Sequence, residues 1–150
     1  MRRAALALLL LTFLLAGCGG DDVQESNAYV DNVNLAQSRF ASSFERLARD
    51  ITSSSTPAED RKTLRSINAT LATTVADLRK IKAPEKVRAQ HDQLVEALAE
   101  YEEAVGAAQG KLGGSAEQAT AAEARLAADT ARTSTRVTAA ITAINQKLQE

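Results

Sequence analysis

The spacing of apolar residues constrains the fold of this chain more than any other feature of its sequence. From Val30 to Ile51 the apolar positions recur alternately three and four residues apart, with Gln37 as the polar interruption. This spacing places side chains on one face of an α-helix, because the helix completes a turn every 3.6 residues. The apolar residues are mainly Ala and Leu, which favour helices, and the 150 residues include no Trp and only two Pro. The sequence therefore predicts an all-α fold.

Four helices are predicted from the apolar stripes and from the residues that begin and end helices. The segment Thr56-Pro57-Ala58-Glu59 matches a capping box with Pro at the first helical position, and Ser115 with Gln118 matches a second box. Pro84 and three glycines, at positions 110, 113 and 114, interrupt the stripes, and such residues end helices. The expected helices cover residues 27–52, 56–82, 84–110 and 115–149.

Long helices joined by short connections pack as antiparallel neighbours. We therefore expect an up-down-up-down four-helix bundle over residues 28–150, as a monomer rather than a homodimer of helical hairpins. With tight turns, contacts among Phe40, Phe44 and Tyr101 should dominate the core. One predicted layer contains Phe44, Leu64, Tyr101 and Leu126, and another contains Val33, Val75, His91 and Val137.

The first 18 residues carry the pattern of an export signal. Arg2 and Arg3 precede an apolar stretch over residues 4–16, which is shorter than the roughly 20 residues that a membrane-spanning helix needs. The stretch ends in Leu15-Ala16-Gly17-Cys18, and Cys18 is the only cysteine of the chain. This segment resembles the lipobox of bacterial lipoproteins, in which a Leu and two small residues precede an invariant cysteine.

The lipobox resemblance implies a chemical fate for Cys18. In that family the thiol receives a diacylglycerol, a signal peptidase cuts just before the cysteine, and the new amino group can be acylated. The implied organisation is a signal peptide over 1–17, a lipidated Cys18 with a flexible tether over 18–27, and the bundle over 28–150. The protein would then be exported and held by its lipid at the cell membrane or outer envelope, with no other cofactor. The alternatives are an ordinary secretory signal and an uncleaved anchor.

His91 is the only histidine and lies on the third predicted stripe. A histidine can bind a metal or change its charge near neutral pH, but the predicted bundle offers no second histidine and no cysteine as a further ligand. We therefore interpret His91 as a buried polar residue that hydrogen-bonds to a neighbour such as Asn34 or Thr133. The spacing of Pro84, His91 and Leu94 resembles a pattern in small uncharacterised helical envelope proteins of bacteria, and this resemblance implies no activity.

Two clusters of charged residues are candidate surfaces. The first cluster surrounds the predicted turn between the second and third helices and contains Arg79, Lys80, Lys82, Lys86 and Arg88. If this turn lies at the tethered end of the bundle, these cations can meet anionic lipid headgroups; the alternative is a solvated loop, with cations favoured at the end of a helix by its dipole. The second cluster is an acidic patch of Glu96, Glu100, Glu102 and Glu103, which we interpret as a solvated helix face rather than a Ca²⁺ or acid–base site.

The remaining sequence favours a non-enzymatic role. The formal net charge is -1, which gives no basis for nucleic-acid binding. No nucleophile motif, phosphate-binding loop or dinucleotide fingerprint is present in the sequence. We therefore expect an interaction or structural module whose partner is an envelope protein or a wall component. The alternative is a carrier of a small molecule or ion, with a pocket inside the bundle beside the fourth helix, which is rich in Ala and Thr.

Overall fold

The computed structural model describes residues 21–48 and 56–150, and this part of the chain is all-α. It contains four α-helices and one short 3-10 helix, with no strand among the described residues. The predicted fold class is confirmed. The predicted signal peptide, Cys18 and the Ser-rich connection over residues 53–55 lie outside the described residues. The elements are α1 (Asp21–Ala48), α2 (Pro57–Lys80), the 3-10 helix η1 (Glu85–Val87), α3 (Arg88–Lys111) and α4 (Ala116–Gln149).

Both predicted capping boxes are present. At the start of α2 the Glu59 N–H donates to Thr56 Oγ1 at 3.3 Å, and the Thr56 N–H donates to Glu59 Oε2 at 2.7 Å. At the start of α4 the Gln118 N–H donates to Ser115 Oγ at 3.3 Å, and the Ser115 N–H donates to Gln118 Oε1 at 3.1 Å. Each box satisfies N–H groups that have no partner within the first helical turn. These caps therefore fix where α2 and α4 begin.

The start of α1 differs from the prediction. The helix begins at Asp21 rather than at Asn27. Residues 21–27, which were predicted to belong to a flexible tether over 18–27, are therefore helical. Ser26 and Tyr29 are buried, and Glu25 lies 4.0 Å from Lys82 in the α2–α3 connection. The polar composition of this segment suggested a solvated coil, but its helix is held by packing on one face. The chain between Cys18 and α1 is correspondingly short.

Neighbouring helices meet with opposite residue order. Along the α2–α3 pair, Asn68 lies beside Gly106, whereas the later Leu78 lies beside the earlier His91. Along the α3–α4 pair, Tyr101 bonds to Thr130, whereas the earlier Glu96 lies beside the later Arg136. Such an inverse order is the pattern of antiparallel neighbours. The bundle is built mainly from consecutive pairs, with α1 packed mostly on α2, and α4 mostly on α3.

The core keeps most members of the predicted layers together. Leu64, Tyr101 and Leu126 belong to one cluster, and Val33, Val75 and Val137 belong to another. The hydrogen-bond partners were not predicted: Tyr101 bonds to Thr130, and His91 bonds to Leu78 and Tyr29. The α2–α3 connection is also less tight than predicted, since α2 ends at Lys80 and a 3-10 helix precedes α3.

The core consists of two clusters, one in each half of the bundle. The first cluster lies at the end that contains the α2–α3 connection and is built around Tyr29, Leu78, Val87 and Leu94. The second cluster is built around Leu64, Leu71, Tyr101 and Val105, with Phe40 packed against it. The side chain of Phe44 lies outside the described residues, so the predicted dominance of contacts among Phe40, Phe44 and Tyr101 stays a prediction. We call the half with the α2–α3 connection the proximal end and the other half the distal end.

Candidate functional site: the Tyr29–His91–Leu78 chain and the basic α2–α3 connection

A buried chain of hydrogen bonds joins three helices at the proximal end. His91 of α3 is only 4 % exposed and uses both ring nitrogens. Its Nδ1 lies 3.2 Å from the hydroxyl oxygen of Tyr29 in α1, and its Nε2 lies 3.1 Å from the carbonyl oxygen of Leu78 in α2. The two rings also meet edge to face, with centroids 5.6 Å apart. His91 thus connects α1 and α2 to α3.

The carbonyl of Leu78 determines the tautomer of His91. A carbonyl oxygen can only accept, so the neutral ring must carry its proton on Nε2 and donate to Leu78. The other nitrogen, Nδ1, then accepts from the Tyr29 hydroxyl. A protonated ring would direct two N–H groups at these neighbours and leave the Tyr29 hydroxyl proton without an acceptor among the described residues. The geometry therefore suits the neutral histidine.

Burial shifts the acidities of both side chains in the same sense, toward their neutral forms. Removal from water lowers the pKa of His91 below its ordinary value, against smaller opposite effects of the Leu78 carbonyl and the Asp92 carboxylate. Burial also raises the pKa of Tyr29 well above its ordinary value, with a further contribution from Asp92. Neutral rings at this site agree with the tautomer that the hydrogen bonds require.

His91 also completes the end of α2. The carbonyl of Leu78 accepts a second hydrogen bond, from the N–H of Ile81 at 3.0 Å, at the point where the chain leaves the helix. The last carbonyls of a helix lack partners within it, and His91 supplies a donor for one of these carbonyls, that of Leu78. The spacing between Pro84 and His91 has a physical explanation. Pro84 lies in the connection that follows α2, and His91, one element later in α3, bonds to the last turn of α2.

The sequence prediction for His91 was correct in burial and wrong in partners. His91 is a buried polar residue, but it bonds to Tyr29 and Leu78 rather than to Asn34 or Thr133. Tyr29 was missed because the predicted stripe of α1 began at Val30. An equally regular stripe begins one residue earlier and contains Tyr29, Val33, Ala36 and Phe40. Within the described residues no group of three or more His, Cys, Asp or Glu side chains is placed to hold a metal ion.

The five basic residues around the α2–α3 connection are exposed: two end α2, two lie in the connection and one begins α3. Three of them have acidic neighbours: Lys80 lies 3.1 Å from Asp77, Lys82 lies 4.0 Å from Glu25, and Arg88 lies 3.9 Å from Glu85. These pairs are at the surface, where an ion pair contributes ~0–1 kcal/mol. The other two members of the cluster, Arg79 and Lys86, form no ion pair within the described part of the chain.

The acidic patch on α3 is partly used in packing. Arg136 of α4 bonds to the carboxylate of Glu100 and lies 3.5 Å from that of Glu96, so these two acids connect α3 to α4. Glu102 is half-buried and Glu103 is exposed. The guanidinium group of Arg136 therefore neutralises part of this acidic patch.

A carboxylate that the sequence analysis did not select lies under two arginines on α4. The side chain of Asp129 is 11 % exposed, with Arg132 at 2.5 Å and Arg125 at 3.8 Å. The three residues line a groove of about 500 Å³ between α3 and α4, together with four alanines. Its charges are mixed, since Glu103 and Lys111 also line it. The arrangement therefore selects neither an anionic nor a cationic ligand.

A carrier pocket was predicted inside the bundle, beside the fourth helix. The hollow between α1 and α4 has a volume of about 10 Å³ and is lined by Val33, Ile144, Asn145 and their neighbours. That volume is close to the minimum that holds one water molecule. The amide oxygen Oδ1 of Asn145 is buried there without a hydrogen-bond partner. A hollow of this size does not accommodate an organic ligand.

None of the described helices is long and apolar enough to cross a membrane. Neither a protein-family model, nor a curated protein, nor a solved structure matches the chain.

Proposed function

We propose that this chain is an exported lipoprotein, held in the membrane by lipid on Cys18, whose helical bundle is a non-enzymatic interaction or structural module of the cell envelope. The observation that carries the proposal is the Leu15-Ala16-Gly17-Cys18 segment, which follows an apolar stretch of signal-peptide length and contains the sole cysteine. Two acyl chains give stable anchoring, where one chain alone is marginal. The partner expected for the module is an envelope protein or a wall component.

The arrangement of the bundle supports a module rather than a carrier. The hollow between α1 and α4 is about 10 Å³, whereas pockets for organic ligands occupy roughly 300–1,000 Å³. The two larger depressions, about 500 Å³ between α3 and α4 and about 330 Å³ between α1 and α2, open on the surface and are lined largely by charged, Thr and Ala side chains. Exposed helix faces of this kind suit contact with a macromolecule.

The lipid anchor is tested by the mass of the mature protein. The full chain is expressed in a bacterium, membranes are isolated, and the intact mass and the N-terminal peptide are measured. We expect a peptide that begins at Cys18 and carries acyl chains. The Cys18→Ser variant should lose the lipid and leave the membrane fraction, whereas a control at the exposed Ser42, Ser42→Ala, should behave as wild type. A membrane-associated wild-type protein with a free thiol would refute the proposal.

The module is tested by cross-linking in intact cells. Photoreactive residues are introduced at exposed positions of α4, such as Ala128 and Thr135, in the lipidated full-length protein. We expect cross-links to envelope proteins or wall material that depend on position along the helix. The outcome that favours a carrier is an organic ligand that copurifies with the protein in stoichiometric amount.

A further inference from the structure

We infer that the basic α2–α3 connection docks on an anionic lipid surface and sets the orientation of the bundle on the membrane. This inference rests on the lipid anchor proposed above and adds which end of the bundle meets the bilayer and by what chemistry. The surface involved is formed by Arg79, Lys80, Lys82, Lys86 and Arg88, and is called the basic connection below.

The first argument is the short distance between the anchor and the bundle. The helix α1 begins at Asp21, so only three residue steps separate it from Cys18, and these span at most about 10 Å. Glu25 lies one turn into α1, about 6 Å further along the helix axis. Its carboxylate is 4.0 Å from the amino group of Lys82. An anchor at Cys18 therefore keeps the basic connection near the headgroups even if the cations themselves do not bind lipid.

The second argument is the exposure and composition of the basic connection. Its ten residues, 79–88, contain five cations and a single acid, Glu85. The side chains of Lys82 and Lys80 are 88 % and 75 % exposed, and long basic side chains can extend their charges toward headgroups while their stems stay on the protein. The screening length at physiological ionic strength is about 8 Å. The spans between the anchor and these cations are upper limits, so the tether allows the exposed side chains to come within one screening length of the headgroups.

The acids of the proximal end limit the attraction. Asp77, Glu25 and Glu85 pair with three of the cations, and Asp21 and Asp22 lie next to the anchor in the sequence. The charges that act on the lipid are therefore mainly Arg79 and Lys86, together with Lys82, whose ion pair is long. Each basic residue near an anionic surface contributes a factor of about five to the binding equilibrium. Three such residues are enough to bias the orientation of a body that the anchor already holds at the surface.

The experiment measures how close each end of the bundle lies to the headgroups. Because the thiol of a lipidated Cys18 is consumed, a new cysteine at the exposed proximal Ala89 or at the exposed distal Ala121 is the single site for a fluorescent label. The lipidated full-length protein is reconstituted into vesicles of phosphatidylcholine alone or mixed with phosphatidylglycerol. Quenching by lipids with a nitroxide headgroup is then compared between the two labels.

The expected result is stronger quenching of the proximal label in the anionic vesicles than in the neutral ones, with no such increase at the distal label. The triple variant R79Q/K82Q/K86Q should lose the increase, and raised salt should reduce it. The matched control K62Q/R65Q/K111Q removes three exposed cations from the distal end and should keep it. Helix content and thermal unfolding of each variant confirm that it is folded.

Two results would overturn the inference, and they are distinguishable from each other. Equal quenching of the proximal label in both kinds of vesicle, or an increase that survives in R79Q/K82Q/K86Q, shows that the basic connection does not dock, and leaves the lipid anchor intact. A mass measurement that finds Cys18 unmodified removes the anchor, and the inference fails with the proposed function.

Discussion

Replacing Tyr29 by Phe removes a single oxygen atom from the buried chain that joins three helices. The hydroxyl of Tyr29 lies 3.2 Å from Nδ1 of His91, and the Tyr29 side chain is buried. The aromatic ring, and therefore almost all of the buried apolar area, is retained in the variant. The nitrogen Nδ1 keeps its lone pair and has no alternative donor among the described residues. The effect of the substitution is therefore the cost of an unsatisfied acceptor.

The expected magnitude follows from that cost. A buried donor or acceptor left without a partner destabilises a fold by about 1–3 kcal/mol, whereas the net contribution of an ordinary hydrogen bond is about 0.5–1.5 kcal/mol. We expect Tyr29→Phe to lower the free energy of unfolding by about 2 kcal/mol. With a urea dependence of about 2 kcal/mol per M for a small domain, the unfolding midpoint should fall by about 1 M. Urea unfolding followed by circular dichroism at 222 nm, a signal that reports helix content, gives both the free energy of unfolding and the midpoint.

Tyr101→Phe is the matched control. The Tyr101 hydroxyl bonds to Thr130 Oγ1 at 2.9 Å, but the Thr130 hydroxyl also donates to the carbonyl of Leu126 at 2.8 Å. Thr130 therefore keeps a partner when the phenol is removed, and the expected loss is below about 1 kcal/mol. Two results would refute the proposed importance of the Tyr29–His91 bond. One is an equal loss of unfolding free energy in the two variants. The other is a loss in Tyr29→Phe of no more than about 0.5 kcal/mol, which is the size expected for an ordinary surface substitution.

Two further predictions concern the pH dependence and the core. Because the pKa of His91 is lowered in the folded state, the unfolded chain binds its proton first as the pH falls. The contribution of His91 to stability should therefore be constant above about pH 7.5 and decrease below the unfolded pKa of about 6.5, until the folded pKa is passed. As the only histidine, His91 can be titrated directly by ¹⁵N NMR, and a folded pKa at or above about 6.5 would contradict the prediction. Leu71 is 0 % exposed, so Leu71→Ala should lower the free energy of unfolding, measured in urea, by about 2–5 kcal/mol. Leu35 is 49 % exposed, and Leu35→Ala should change this free energy by about 0.5 kcal/mol or less. Similar losses at both positions would show that the described burial is wrong.

The local features of the fold could be predicted from the sequence because they depend on short stretches of chain. The capping residues Thr56 and Ser115 act on backbone groups three residues away, so the starts of α2 and α4 follow from local patterns. The apolar stripe of α2 is equally clear. Leu64, Leu71 and Leu78 repeat every seven residues, and all three are buried.

The features that escaped prediction depend on contacts between distant parts of the chain. Glu25 and Ser26 read as parts of a solvated tether, yet Ser26 is buried and Glu25 lies beside Lys82. The partner of His91 is 62 residues away in Tyr29, and the pairing of α3 with α4 depends on the path of the connections. Two stripes fit α1, one beginning at Tyr29 and one at Val30, and both of these residues are buried. The sequence pattern did not show that Tyr29 would meet His91.

The buried chain and the proposed docking surface belong to the same part of the molecule. The carbonyl that His91 bonds belongs to Leu78, and the basic connection begins at the next residue, Arg79. Tyr29 lies two turns along the helix that follows Cys18, since α1 begins at Asp21. The hydrogen bonds of His91 therefore join the helix nearest the proposed anchor to the helix end that presents the cations. A rigid link between these two parts is what allows three surface charges to orient the whole bundle, because charges on a loose loop would reach the lipid without turning the rest of the protein.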